Sequence, residues 1–103
     1  AMYQAYHQIV PLKPRATPAK TWEVVGPICE SGDWIGHDRD LSVLQGDQLA
    51  VLSAGAYCMS MASNYNTRNR AAEVLVDRSQ AHLIRERESY ADQMRLEHLP
   101  GDK

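Results

Sequence analysis

Short apolar runs, each broken within a few residues by proline, glycine or a charged pair, set the pattern of this chain. Residues 6–10 form a β-prone run that meets Pro11 and Pro14. The stretch from Pro14 to Pro18 reads as a loop, because proline has no N–H to give to a strand ladder. Residues 21–25 read as a second strand, ended by Gly26-Pro27. Residues 40–44 suit a third, closed by the turn Gln45-Gly46-Asp47. Residues 48–52 are a strongly apolar fourth. Residues 72–77 and 80–85 read as a hairpin joined at Arg78-Ser79. Two stretches have helical composition: 56–62, rich in Ala and Met, and 86–98, with good helix formers ahead of Pro100-Gly101. Short strands with frequent turns predict a mainly β fold, a small Greek-key-like barrel or sandwich, as one domain over residues 1–103.

Composition narrows the function classes. The chain has 103 residues, room for one small domain. Its 11 Lys and Arg stand against 13 Asp and Glu, a net charge of -2. There is no basic stripe, so a nucleic-acid partner is not expected. No apolar run reaches bilayer length, and Ala1-Met2-Tyr3 does not open a basic-then-apolar leader, so no membrane partner is expected either. The two cysteines, Cys29 and Cys58, form neither a disulfide framework nor a metal-ligand spacing. Free thiols without an export signal suit the cytoplasm.

Composition alone therefore reaches only a small soluble β domain, and three motifs carry the chemistry. The first is Cys29-Glu30-Ser31-Gly32-Asp33, a thiol beside a carboxylate in a loop that begins at Gly26-Pro27. A free cysteine is most often buried filler. This one sits in a loop, and loops held on a rigid scaffold are where catalytic groups concentrate. The second is Gly55-Ala56-Tyr57, where glycine permits close backbone approach beside a tyrosine. The third is Ser63-Asn64-Tyr65-Asn66, whose polar side chains suit bonding to turn backbone ahead of Arg68 and Arg70. Cys58, Met59 and Met61 read as core filler. His7 reads as a structural histidine, and His37, His82 and His98 as surface residues.

In this order and at roughly this spacing, the motifs resemble those of the C-terminal domain of the diaminopimelate decarboxylases, pyridoxal-phosphate enzymes of the alanine-racemase-like fold. The resemblance runs from about residue 1 to about residue 94. It implies that Cys29 is the proton donor of the reaction. A thiol, with an ordinary pKa of about 8.5, is mostly protonated at neutral pH yet able to give up its proton. It implies that Glu30 binds the distal ammonium of the substrate, a charge-assisted contact. Related ornithine-type enzymes carry aspartate there. Tyr57 would lie over the pyridoxal phosphate, touching cofactor and substrate. Tyr3 would touch substrate as well, next to an arginine that precedes Ala1 in the family. Asp33 receives a loop-shaping role, through bonds from backbone amides to its side chain.

The same resemblance implies partners. The Schiff-base lysine and phosphate cradle of the family sit on an N-terminal (β/α)8 barrel. Here the only lysines are Lys13, Lys20 and Lys103, and no glycine-rich phosphate loop is present. The expectation is a C-terminal β domain of a longer homodimeric enzyme, with sites shared between subunits, converting meso-diaminopimelate to lysine and CO2 and inactive by itself. Two alternatives stay open: the same domain of an ornithine-, lysine- or arginine-type decarboxylase, and a non-catalytic β module for interaction or dimerisation.

Overall fold

A computed structural model describes residues 5–101 of the chain. They fall into two compact units, the first running to Ala56 and the second starting at Tyr57.

The first unit holds four strands in two antiparallel pairs. Strand β1 (Ile9–Pro11) pairs with β4 (Leu49–Val51), and β2 (Lys20–Val25) with β3 (Trp34–Leu41). Pro11 does halt β1, but from inside it, as the last paired residue opposite Leu49. The ladder then continues from Leu12 N–H to the Gln48 carbonyl at 3.0 Å, so the missing donor costs nothing at a strand end. Ile9 and Leu41, 6% and 7% exposed, form the apolar centre. Gly36 of β3 is buried there too. A β-carbon at residue 36 would come within 2.9 Å of Ile9 Cδ1 and of the Arg39 guanidinium, so glycine lets β3 lie this close without displacing either side chain.

The third strand departs from expectation. It runs from Trp34 to Leu41, not over residues 40–44. The segment Trp-Ile-Gly-His-Asp-Arg-Asp-Leu has little intrinsic β propensity, and pairing with β2 decides its state. A bulge interrupts the register between Trp22↔Arg39 and Val24↔Gly36. Asp38 takes a positive φ of 51° inside it. The Glu23 side chain holds the bulge, accepting the Asp38 N–H at 2.8 Å and pairing with His37 Nδ1. The Trp34 ring packs against His37, centroids 4.0 Å apart. Arg39 reaches back to the His7 carbonyl at 2.6 Å and lies over the Tyr6 ring.

The second unit carries the hairpin β5 (Glu73–Asp77) and β6 (Gln80–Arg85), close to expectation. Arg78 adopts the positive φ, 56°, that two-residue hairpin turns demand. Val74, Leu75, Val76, Leu83 and Ile84 are all exposed on this hairpin.

Both expected helices need correction. Residues 56–62 form no helix but a single turn, with Met61 N–H bonded to the Tyr57 carbonyl at 2.9 Å and Ala62 N–H to Met59 at 3.1 Å. One turn cannot offset the cost of helix nucleation, and the Tyr57 carbonyl is shared between the Met61 N–H and the Ser60 hydroxyl. The C-terminal helix, expected over 86–98, is α1 (Tyr90–Met94) alone. A capping box sets its start: Asp92 N–H bonds Ser89 Oγ at 3.2 Å, and Ser89 N–H bonds Asp92 Oδ2 at 2.8 Å. Upstream, Glu88 N–H bonds the Arg70 carbonyl at 3.1 Å, and the extended backbone of Ser89 (φ -109°, ψ 167°) keeps the helix from starting earlier. The chain is mainly β with little helix, but its strands form three two-stranded sheets, with no closed barrel or sandwich among the described residues.

Candidate functional site

The loop between β2 and β3 is tied at three points. Gly26 N–H bonds the Asp33 carbonyl at 3.0 Å, closing its ends. Asp33 N–H bonds the Glu30 carbonyl at 3.1 Å, making a tight turn of residues 30–33. Asp33 Oδ2 accepts the Ile28 N–H at 2.6 Å. A β-carbon at residue 26 would overlap both carboxylate oxygens of Asp33 and approach its Cγ to 2.6 Å. Asp33 thus does shape the loop through a backbone amide. The amide it holds belongs to the residue just before Cys29.

Cys29 and Glu30 sit side by side on this loop, both exposed, and Cys29 is a free thiol. An exposed thiol and carboxylate on adjacent residues can give a proton and bind a cation at one place, chemistry that a buried cysteine cannot perform.

Tyr57 belongs to the second unit, where it opens the single turn and is 72% exposed. Tyr3 lies outside the described residues. Cys58 and Met61 are exposed, not core filler, because the short turn that carries them covers no apolar layer. The Ser63–Asn66 motif does bond backbone: Asn64 Nδ2 donates to the Arg68 carbonyl at 3.0 Å, and Ser63 Oγ accepts the Tyr65 N–H at 3.3 Å.

Sequence reasoning missed one further centre. Glu88 accepts the Arg70 N–H at 2.9 Å and Asn64 Nδ2 at 2.5 Å, and its carboxyl is held below the usual carboxylate range, by the Arg70 amide first, then by Asn64 and the Arg70 charge. A polar cleft beside it includes Arg85, Asp92 and Arg95. The sequence gives no forewarning of it, because the pairing of Arg70 with Glu88 spans 18 positions and spacing does not reveal it.

His7 is structural, its Nδ1 against the Leu52 carbonyl at 3.0 Å. Among the described residues no group of three or more His, Cys, Asp or Glu is placed to hold a metal ion. No helix of theirs is long and apolar enough to cross a membrane.

The profile of the family described as "Pyridoxal-dependent decarboxylase, C-terminal sheet domain" matches residues 1–55. The chain belongs to this family. Among its relatives, the diaminopimelate decarboxylase of Vibrio cholerae is 52% identical over 97 residues, 94% of this chain and 23% of that protein. Among solved structures, diaminopimelate decarboxylase from M. jannaschii superposes with a TM-score of 0.90 at 44% identity, over 97% of this chain and 23% of that one. The same enzyme in co-complex with L-lysine gives 0.89 at 43%, over 96% and 23%. The chain thus spans about a quarter of the length of the decarboxylases it matches.

By itself this sheet domain does not fit a pyridoxal-phosphate holder. Its lysines among the described residues, Lys13 and Lys20, are exposed on a loop and at a strand start. Its thiol Cys29, its carboxylate Glu30 and its phenol Tyr57 all lie on exposed segments.

Proposed function

We propose that this sheet domain serves a diaminopimelate decarboxylase, supplying proton-donor and substrate-binding groups to a site completed by an N-terminal (β/α)8 barrel. The observation that carries the reading is the exposed Cys29–Glu30 pair on a loop tied at three points, in a chain whose relatives bear that enzyme's name. The reaction is the loss of CO2 from meso-diaminopimelate to leave lysine. Pyridoxal phosphate, when bound by the barrel, supplies the electron sink for that bond cleavage. Cys29 then returns a proton to the carbon that lost its carboxylate. Glu30 binds the distal ammonium, and with it selects a diamino acid. Tyr57, and Tyr3 in the same substrate-contacting role, complete the domain's contribution.

In this reading the enzyme is a cytoplasmic homodimer whose sites combine groups of both subunits. Closure of the three small sheets into a Greek-key-like barrel belongs to the complete polypeptide. The family name leaves the substrate open, so ornithine-, lysine- and arginine-type activities are the competing readings, and the relatives' names favour diaminopimelate.

The test is a substrate panel on the full-length enzyme, with CO2 release measured from meso-diaminopimelate, ornithine, lysine and arginine. Turnover of meso-diaminopimelate well above the others is expected. Preference for another amino acid overturns the assignment, and no turnover of any of the four favours an interaction module. Cys29→Ala is expected to lower kcat far more than KM, since the acid acts after binding.

A further inference from the structure

We propose that Asp33 is the positioning residue for Cys29 and that Gly26 exists in its glycine form to make room for it. This deepens the reading of Cys29 as proton donor and rests on it.

Cys29 is exposed, so burial does not direct its side chain. What fixes its backbone is hydrogen bonding on both flanks, and both flanks lead to one residue. On the N-terminal side, the Ile28 N–H is held by Asp33 Oδ2 at 2.6 Å. On the C-terminal side, the Glu30 carbonyl is held by Asp33 N–H at 3.1 Å. The first of these bonds has a charged acceptor and belongs to the strong class. The Asp33 carbonyl also closes the loop onto Gly26 N–H, 3.0 Å away. The carboxylate can reach Ile28 only because residue 26 has no β-carbon, which would occupy the same space as its oxygens. Gly26 and Asp33 therefore act as one clamp: a side chain at 26 must push the carboxylate off the Ile28 amide.

A thiol that delivers a proton to a particular carbon tolerates little displacement. A shift of about 1 Å can cost on the order of a hundredfold in rate. Asp33 never needs to touch substrate; its effect passes through the position of Cys29.

The experiment uses the full-length enzyme with Asp33→Ala, Asp33→Asn, Gly26→Ala and the double variant Gly26→Ala/Asp33→Ala. Two readouts are taken: kcat, and the iodoacetamide alkylation rate of Cys29 relative to Cys58, resolved by peptide mapping. The second needs no turnover. Asp33→Ala and Gly26→Ala are expected to lower kcat by roughly ten- to a hundredfold and to change the Cys29 to Cys58 alkylation ratio. Asp33→Asn keeps a neutral carbonyl acceptor for the Ile28 amide but loses the charge that strengthens the bond, so it should fall between wild type and Asp33→Ala in both. In the double variant the β-carbon at 26 has nothing to displace, so it should be no worse than Asp33→Ala alone.

Unchanged alkylation ratio and kcat in Asp33→Ala overturn the proposal. Additive losses in the double variant overturn the shared clamp. If Asp33→Ala does not fold, Gly26→Ala against Asp33→Asn decides: a larger change in the first supports the clamp, and equal behaviour overturns it. If instead Cys29→Ala keeps wild-type kcat, the proton-donor reading fails while the alkylation pattern still judges the clamp.

Discussion

Arg15 and Asp47 meet in a two-point fork: Nε lies 2.6 Å from Asp47 Oδ2 and an Nη the same distance from Oδ1. The pair staples the proline-rich loop to the turn that precedes β4, across 32 positions of sequence. Asp47 also accepts the Leu44 N–H at 2.9 Å, so one carboxylate serves loop and turn together.

A pH dependence follows from this fork. The Asp47 carboxyl is held at about 2, against an ordinary 3.8, first by the Arg15 bond and then by the Leu44 amide. A group depressed in the fold stabilises it above the unfolded value and loses that effect as pH falls through the folded one. The contribution is complete above about pH 5, is lost progressively as pH falls, and is gone only near pH 1. Asp47→Asn should therefore lower Tm at neutral pH, with the difference from wild type shrinking across that interval. A Tm difference that stays constant down to pH 2 would show that the fork carries no such linkage.

Glu30→Gln in the full-length enzyme keeps the side chain's shape and removes its charge. Loss of one charge-assisted bond is worth about 1.5–3 kcal/mol, or roughly ten- to a hundred-and-fifty-fold in kcat/KM for meso-diaminopimelate. Glu30→Asp should be milder and should relax the choice of substrate. Steady-state kinetics on the panel above decide this, and wild-type kcat/KM in the Gln variant removes Glu30 from the site.

Complementation tests whether the site is shared. A subunit with Cys29→Ala and a subunit lacking the barrel lysine are each expected to be inactive as homodimers. Co-expressed, they should regain part of the activity, because one site of each mixed dimer has both groups intact. Mixed dimers as inactive as their parents would place Cys29 and the lysine in the same subunit's site.

Ser89→Ala removes half of the capping box of α1. A helix of five residues has little propagation energy of its own, so its cap matters in proportion. The expected cost is about 0.5–2 kcal/mol, read as faster amide exchange at Gln93, whose N–H bonds the Ser89 carbonyl at 3.3 Å. Unchanged exchange there would mean that α1 is held by something other than its cap.

The isolated 103-residue chain should show no decarboxylase activity with added pyridoxal phosphate, since neither Lys13 nor Lys20 sits in a site for the cofactor. Measured CO2 release from the purified chain would contradict this.

The sequence alone determined whatever depends on near neighbours. The hairpin β5–β6 was legible because its two apolar runs and its two-residue turn are local signals. The Cys29–Glu30 pair was legible as chemistry because adjacency on a loop needs no fold to establish it, and the role proposed for it in a decarboxylase came from the family likeness of several motifs in order. Asp33 was legible as a loop-shaping residue, since short acidic side chains bond nearby amides. Tertiary structure decided the rest. Strand β3 exists because β2 pairs with it and Gly36 admits it against Ile9, although its own residues favour a strand weakly. The expected helix at 56–62 amounts to one turn, too short to offset the cost of helix nucleation. That Asp33 holds the Ile28 amide, and that Gly26 yields it the space, are facts about two segments brought face to face. Composition names the groups able to meet, but only the closed loop sets their separation, and hydrogen bonding and steric exclusion both turn on tenths of an ångström.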